Sequence, residues 1–378
     1  MASPDRLTRH ELVHPDGRRF LIYGDARPTL AGGRPDDRSD TGLHRRFDRL
    51  TDAWVLISPA RNTRPAGRTD GTEEPPCPLC PGGPELPGPF ELAVFDNRYP
   101  PLTPDPPPVP RRGTAAELVA TSVGRCQVVV FTPAHTGSLA TLGPARLGRL
   151  VAVLQDRTSA LWDDGHAYVM AFENRGGAVG ATLSHPHGQL YALGHLPPTV
   201  RTKMAVVGDH RRRHGGCLGC AVVADDTSAD RQIEANPSFS VAVPFAARWP
   251  FELRLTARRH GVGRLSQLDG REASDLAGLL GRVVARYDGL FGFALPYLLC
   301  IQEAPAGPDG APLADWHLHV ELSPPHRSAE RLKVRASVET ALGTFINDTV
   351  PEDSAARLRA VAVPDLPAPR VPAIAVAR

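Results

Sequence analysis

Lysine is almost missing from this chain: of 43 basic residues only Lys203 and Lys333 are lysine, and the rest are arginine. With 39 prolines and 35 glycines, this reads as the coding bias of a GC-rich genome and carries no mechanistic weight. An excess of either charge is missing too, since 43 basic residues face 41 acidic ones for a net charge of +2. A surface built for nucleic acid or another polyanion is therefore not expected. No apolar run approaches the roughly 18 residues of a membrane span. Met1 to Phe20 carry Asp, Arg and His throughout and lack the apolar stretch of a secretion signal. These absences predict a cytoplasmic protein with neither a membrane nor a nucleic-acid partner.

What is present begins with length. A chain of 378 residues is enough for two or three domains of about 100–200 residues each, and it buries enough surface to need no disulfide staples. Four of its six cysteines nevertheless fall in two CxxC pairs, Cys77–Cys80 and Cys217–Cys220. In a reducing compartment such pairs point to metal or redox chemistry. Residues 1–46 read as an extended, irregular N-terminal arm, with the first ordered strand at Ala53–Ser58. The Pro-rich stretch from Pro75 to Pro110 reads as a draped loop, and Cys126–Thr132 as a strand. Pro144–Trp162 has apolar residues at helical spacing, and strands are expected at Ala167–Glu173 and Gln189–Leu193.

Past about residue 205 the same order returns. Each copy has a CxxC, then a strand ending in a single histidine (His135, His260), then an amphipathic helix. A strand bearing His-x-His closes each copy, His185-Pro-His187 and His317-Leu-His319. The intervals from the single His to the His-x-His are 50 and 57 residues. The pattern predicts an internally duplicated α+β protein. Its boundaries are 47–205 and 206–361, followed by one helix near Ala329–Thr344 within the second copy and a poorly ordered tail over 362–378.

Zinc takes four tetrahedral N/S ligands, and a CxxC turn supplies two of them to one ion. Cys77, Cys80, His135 and His185 make one such set, and Cys217, Cys220, His260 and His317 a second. The 136 residues between Cys80 and Cys217 are far more than the roughly 15–20 of a zinc ribbon, so the pairs do not share an ion. Simple packed or exposed thiols would produce the same spacing. Within Ser184-His185-Pro186-His187-Gly188-Gln189, residues two apart face the same side of a strand. His185 can then hold the ion while His187 stands beside it unligated, although both could be ligands of a purely structural site. A neutral, positioned imidazole is a competent nucleophile toward phosphorus. Gly188 would let a phosphate approach the backbone, and Gln189 offers an amide donor. Arg211-Arg212-Arg213-His214 reads as a solvated loop, and Cys126 and Cys300 as core residues.

The segment 185–189, preceded by Phe172-Glu173-Asn174-Arg175-Gly176, resembles the active-site signature of the galactose-1-phosphate uridylyltransferase family, within the histidine-triad superfamily. Arg45 to Thr51, Trp54 to Pro65, Val94 to Asn97, Pro244 to Glu252 and Gly343 to Asp348 extend the likeness, in order, from about residue 44 to 361. The resemblance implies two histidine-triad-like domains, each a mainly antiparallel sheet packed by helices, in a homodimer. It implies a ping-pong reaction in which His187 takes UMP from UDP-glucose and passes it to galactose 1-phosphate, with Gln189 donating to the phosphoryl group. Arg61 and Arg64 match phosphate-side arginines. Asn97, Asn174, Gly180 and Thr182 match nucleotide and phosphate contacts, and Glu339 matches the hexose-binding glutamate. The alternatives are a nucleoside-diphosphate-sugar phosphorylase, a transferase for another sugar 1-phosphate, or a zinc-stapled nucleotide-sugar binding protein without turnover.

Two departures stand out. Some family members carry iron on a glutamate and three histidines. Here Lys203 and Glu321 occupy two of those places and only His260 and His319 match, so the resemblance does not carry an iron site over. Where the family has a glutamine beyond the hexose-binding glutamate, this chain has Phe345, with Asn347 nearby, which implies an altered acceptor pocket. The second Cys/His set predicts a second, structural zinc, because no Gly-Gln follows His317-Leu-His319.

Overall fold

The computed structural model describes residues 6–25, 42–63, 77–109, 117–228, 230–365 and 367–377. The chain opens with strands β1 (Arg6–Val13), β2 (Arg19–Tyr23), β3 (His44–Asp48), β4 (Ala53–Ile57), β5 (Leu92–Asp96), β6 (Val119–Ala120) and β7 (Gly124–Val130). Helix α1 (Gly143–Asp163) leads to β8 (Tyr168–Arg175) and β9 (His187–Leu193), then to α2 (Pro198–His214) and α3 (Leu218–Ser228). The second half follows with β10 (Gln232–Ala235), β11 (Phe239–Ala242), β12 (Leu253–Ala257), α4 (Gly270–Phe291), β13 (Tyr297–Gln302) and β14 (His319–Ser323). It ends with α5 (Ser337–Leu342), α6 (Pro351–Ala360) and β15 (Ala373–Val376). Among the described residues no helix is long and apolar enough to cross a membrane.

Twelve strands form one sheet in the order β10-β11-β12-β14-β13-β8-β9-β7-β5-β2-β1-β15, and β4-β3-β6 form a small second sheet. The order is palindromic about the β13–β8 junction, which has five strands on one side and seven on the other. The run β5-β7-β9-β8 is mirrored by β11-β12-β14-β13, and the two meet edge to edge where β8 pairs antiparallel with β13, Arg175 opposite Tyr297. Joining at these edges leaves neither half with an open strand there, a common point of aggregation. Helices α1 and α4 occupy corresponding places in the two halves and contribute to one hydrophobic core with the sheet. At their crossing a side chain on Gly281 would lie 2.8 Å from Leu147 Cδ1, so anything larger than glycine would push that leucine aside. Helix α4 starts with a capping box, in which Asp269 accepts from Glu272 N and Glu272 accepts from Asp269 N. Leu276, Leu280, Val283, Val284 and Tyr287 then form its buried stripe.

Four expectations need correction. Residues 1–46 are not an irregular arm where they are described, because β1 and β2 form a hairpin that pairs with β5, and Ala53–Ile57 is the fourth strand. The hairpin's charges are satisfied internally: Arg9 meets Asp156, and the fully buried Arg18 meets Asp16 and Glu85. Near Ala329–Thr344 only Ser337–Leu342 is helical, and a separate helix, Pro351–Ala360, follows. The tail does not hang free, since Ala373–Val376 pairs in parallel with Arg6–Arg9. The basic run at 211–214 is likewise the last turn of α2, where cations complement the negative end of the helix dipole.

Candidate active site and metal centres

The first thiol–imidazole set assembles as the spacing requires. Ligand atoms of Cys77, Cys80, His135 and His185 all lie within 4.8 Å of one another. Cys80 Sγ is 3.4 Å from His135 Nδ1 and 3.6 Å from His185 Nδ1. The other His185 nitrogen, Nε2, is 2.8 Å from the Thr132 carbonyl. A carbonyl only accepts, so Nε2 carries the proton and Nδ1 presents its lone pair to the thiols. Burial pushes the His185 pKa down, which favours the neutral imidazole a metal needs. The CxxC turn is tight: a side chain on Gly83 would stand 2.8–2.9 Å from the carbonyls of Cys77, Pro78 and Cys80. From the N-terminal hairpin, His14 Nε2 donates to Pro84 O at 3.1 Å and Arg18 pairs with Glu85 at 2.6 Å. Sequence reading missed these clamps, because nothing local relates Arg18 to Glu85.

The second set repeats this with the ring reversed. Ligand atoms of Cys217, Cys220, His260 and His317 also lie within 4.8 Å of one another. Here His317 Nδ1 donates to Ala257 O at 2.7 Å, leaving Nε2 3.4 Å from Cys220 Sγ. A side chain on Gly219 would stand 2.4 Å from the His317 ring, so only glycine lets the turn close over it. Both clusters have the donors and spacing to hold a metal ion. His260 thus belongs with these thiols, away from His319, and the remaining iron-site positions are filled differently. Lys203 Nζ donates to His319 Nε2 at 3.0 Å and to Glu321 Oε1 at 2.7 Å. An ammonium group occupies the place where such a cation would be held, and these residues do not fit iron.

Beside the first cluster, β9 carries His187 and Gln189 on one face. His187 Nδ1 donates to the His185 carbonyl at 2.7 Å, which fixes the tautomer with its lone pair on Nε2. His187 and Gln189 line a cavity of about 200 Å³ together with Asn97, Tyr99 and Thr182. Asn97 Nδ2 donates to Gln189 Oε1 at 3.4 Å, so the Gln189 amide presents its NH₂ as the donor. Gly188 points the other way: it is buried, and a side chain there would meet Phe172 O at 2.8 Å and the Phe131 ring at 3.0 Å. Its smallness serves the packing of β9 on the sheet and not the approach of a phosphate to the open face.

The other expected site residues divide. Arg61 sits in the turn after β4 and donates to Tyr99 O at 3.2 Å and Tyr191 Oη at 3.4 Å, which brings it beside the cavity. Arg64 lies outside the described residues. Phe172 pairs with Gln189, so Asn174, two positions on, shares that face. Gly180 has φ +79° in the turn before Thr182, a conformation that favours glycine. Glu339 is not among the residues lining the His187 cavity. Its carboxylate accepts from Lys333 Nζ at 2.6 Å and from Ile346 N at 3.1 Å, and Lys333 holds its pKa below the usual range.

Glu173, between Phe172 and Asn174, is fully enclosed with Tyr297, whose hydroxyl donates to Oε2 at 2.9 Å. Burial outweighs that bond and lifts its pKa to about 7. Between about 4.5 and 7 the unfolded chain has ionised while the folded one keeps the proton, so stability falls as pH rises, by roughly 3 kcal/mol in all. Glu173→Gln, which still accepts from Tyr297, is expected to remove this loss. Thermal denaturation checks it: the variant's advantage in Tm should grow from about pH 5 to about pH 8, and a constant difference would contradict it.

Two mirrored halves of one sheet, a Cys₂His₂ cluster in each and a His-x-His segment leading into a strand of each define a class, the internally duplicated α+β proteins. Comparison with known proteins narrows it. Residues 35–197 match the galactose-1-phosphate uridyl transferase N-terminal domain, and residues 191–367 match its C-terminal domain. The galactose-1-phosphate uridylyltransferase of Thermotoga maritima is 38% identical over 315 residues, covering 83% of this chain and 97% of that one. That of Haemophilus influenzae is 31% identical, covering 84% and 94%. A solved uridylyltransferase structure superposes with a TM-score of 0.74 at 30% identity, covering 84% of this chain and 97% of the other. An ADP-glucose phosphorylase from Arabidopsis thaliana, solved with ADP-glucose bound, has a TM-score of 0.64 at 26% identity, covering 85% and 99%. The chain belongs to the galactose-1-phosphate uridylyltransferase family.

Proposed function

We propose that this chain transfers UMP from UDP-glucose to galactose 1-phosphate through a covalent uridylyl-His187. The observation that carries the reading is the His187 tautomer, set by the bond to the His185 carbonyl beside Gln189, Asn97 and Thr182. His187 Nε2 attacks the α-phosphorus, an N–P bond forms, and the P–O bond to glucose 1-phosphate breaks. A phosphate oxygen of galactose 1-phosphate then attacks the same phosphorus, and the N–P bond breaks to return the neutral imidazole. Gln189 donates to a nonbridging oxygen as charge shifts onto it, and Arg61 supplies a fixed positive charge nearby. The clusters Cys77/Cys80/His135/His185 and Cys217/Cys220/His260/His317 would each hold zinc, whose preference for tetrahedral thiolate and imidazole fits both. Zinc's contribution would be structural: at the first cluster it would fix His185, two residues before His187 at the start of β9.

The reading includes a homodimer in the cytoplasm, where the thiols stay reduced and free to bind metal. Val334, Leu342 and Ile346 are 58–74% exposed around Glu339, an apolar patch suited to a second copy. Across such an interface Glu339 could serve the partner's His187 cavity. The domains proposed are the two halves, 47–205 and 206–361, with the N-terminal hairpin β1–β2 added to the first because it pairs with β5, each with its own cluster.

Steady-state kinetics tests the reading. Varying UDP-glucose at several fixed concentrations of galactose 1-phosphate is expected to give parallel double-reciprocal lines, and intersecting lines would contradict a covalent intermediate. In the same assay Gln189→Ala is expected to lower kcat by about 10²–10³ with little change in KM. A second reading, nucleotidyl transfer to inorganic phosphate, is favoured by the likeness to an ADP-glucose phosphorylase. Release of UDP when phosphate replaces galactose 1-phosphate would select it.

A further inference from the structure

The second half contains a cavity of about 660 Å³ that is the counterpart of the His187 site. Strands β12 and β14 pair Thr256 with His319 and Arg254 with Glu321. In the same register β7 and β9 pair Val130 with His187 and Val128 with Gln189. His319 Nδ1 donates to the carbonyl of His317 at 2.8 Å, as His187 does to that of His185. The groups at the base differ at every other place: two valines and a glutamine have become Thr256, Arg254 and Glu321.

Those replacements build a polar floor. Lys203 uses two of its three hydrogens on His319 and Glu321, leaving the third for a ligand oxygen. Thr256 lines the cavity, is only 5% exposed, and its hydroxyl has no hydrogen-bond partner. A buried hydroxyl left so costs about 1–3 kcal/mol, which a bound oxygen would offset. The walls are aromatic, from Trp249, Trp316 and Phe345. Charges in the lining balance, Lys203, Arg248 and Arg254 against Glu252, Asp315 and Glu321, so the cavity does not favour a polyanion.

We propose that this cavity binds a neutral pyranose sugar, at a site separate from the His187 chemistry. Sugar hydroxyls both donate and accept, which matches a floor of ammonium, hydroxyl and carboxylate. The C–H face of the ring packs against the indoles. Lys203→His319 and Lys203→Glu321 hydrogen bonds preorganise that floor before the ligand enters.

Calorimetric titration of the full chain with D-galactose, D-glucose and, separately, inorganic phosphate tests the proposal. One hexose per chain is expected, with Kd in the range of about 1–10 mM for a single ring held by a few hydrogen bonds. Thr256→Val should weaken it about 5–10-fold, while Thr256→Ser and Gln189→Ala leave it unchanged and Thr256→Val leaves UMP transfer intact. Three results would overturn the proposal: no hexose binding up to about 50 mM, weakening by Gln189→Ala instead of Thr256→Val, or a Thr256-dependent site for phosphate in place of hexose. Failure of the transferase reading would register differently, as the absence of UMP on His187 with hexose binding unaffected.

Discussion

His187→Gly is expected to reduce UMP transfer from UDP-glucose by about 10⁵-fold or more, the scale on which removing a covalent nucleophile acts. The reason is chemical, since no other side chain lining the cavity offers a neutral nitrogen lone pair to phosphorus. Folding should survive the change. His187 is half-buried at the first position of β9, outside the hydrophobic core. Single-turnover assays with UDP-glucose check the loss, and thermal denaturation checks the fold. A variant that kept even a tenth of the wild-type rate would remove His187 from the chemistry.

The second large effect concerns the clusters, which differ in what depends on them. A structural zinc contributes on the order of 10 kcal/mol, comparable with the about 5–15 kcal/mol that stabilises a whole domain. Two metal ions per chain are expected by elemental analysis. Cys80→Ser should leave one ion and abolish UMP transfer, because the first cluster includes His185, whose carbonyl orients His187. Cys217→Ser should also leave one ion and lower Tm, yet retain transfer, since the second cluster lies in the other half of the sheet. One ion in the wild type, unchanged in Cys217→Ser, would show that the second cluster holds none. Equal loss of activity in both variants would contradict the division of roles.

How much of this was legible follows from where each signal resides. Both clusters and the His-x-His segments are readable because they are local patterns, and their recurrence marks the duplication, although only the second histidine of each pair lies on a strand. The N-terminal hairpin is not readable, because Arg6–Val13 looks polar until its charges find partners such as Asp156, distant in sequence. The final strand was hidden by the prolines around it and exists because β1 offers an edge. Gly188 packs against Phe172 O and the Phe131 ring, which sequence does not reveal, since it shows that a side chain is missing and not which atoms fill the space. The Lys203–His319–Glu321 network is a case between these: the resemblance flagged the positions, but only the distances reveal that lysine closes the site.

The covalent intermediate is the claim on which the rest depends, and intact-mass measurement reaches it most directly. Incubation with UDP-glucose and no acceptor should add the mass of one UMP moiety to the wild-type chain, none to His187→Gly, and galactose 1-phosphate should discharge it. A wild-type chain that stays unmodified, or a His187→Gly chain that still gains UMP, would contradict the account.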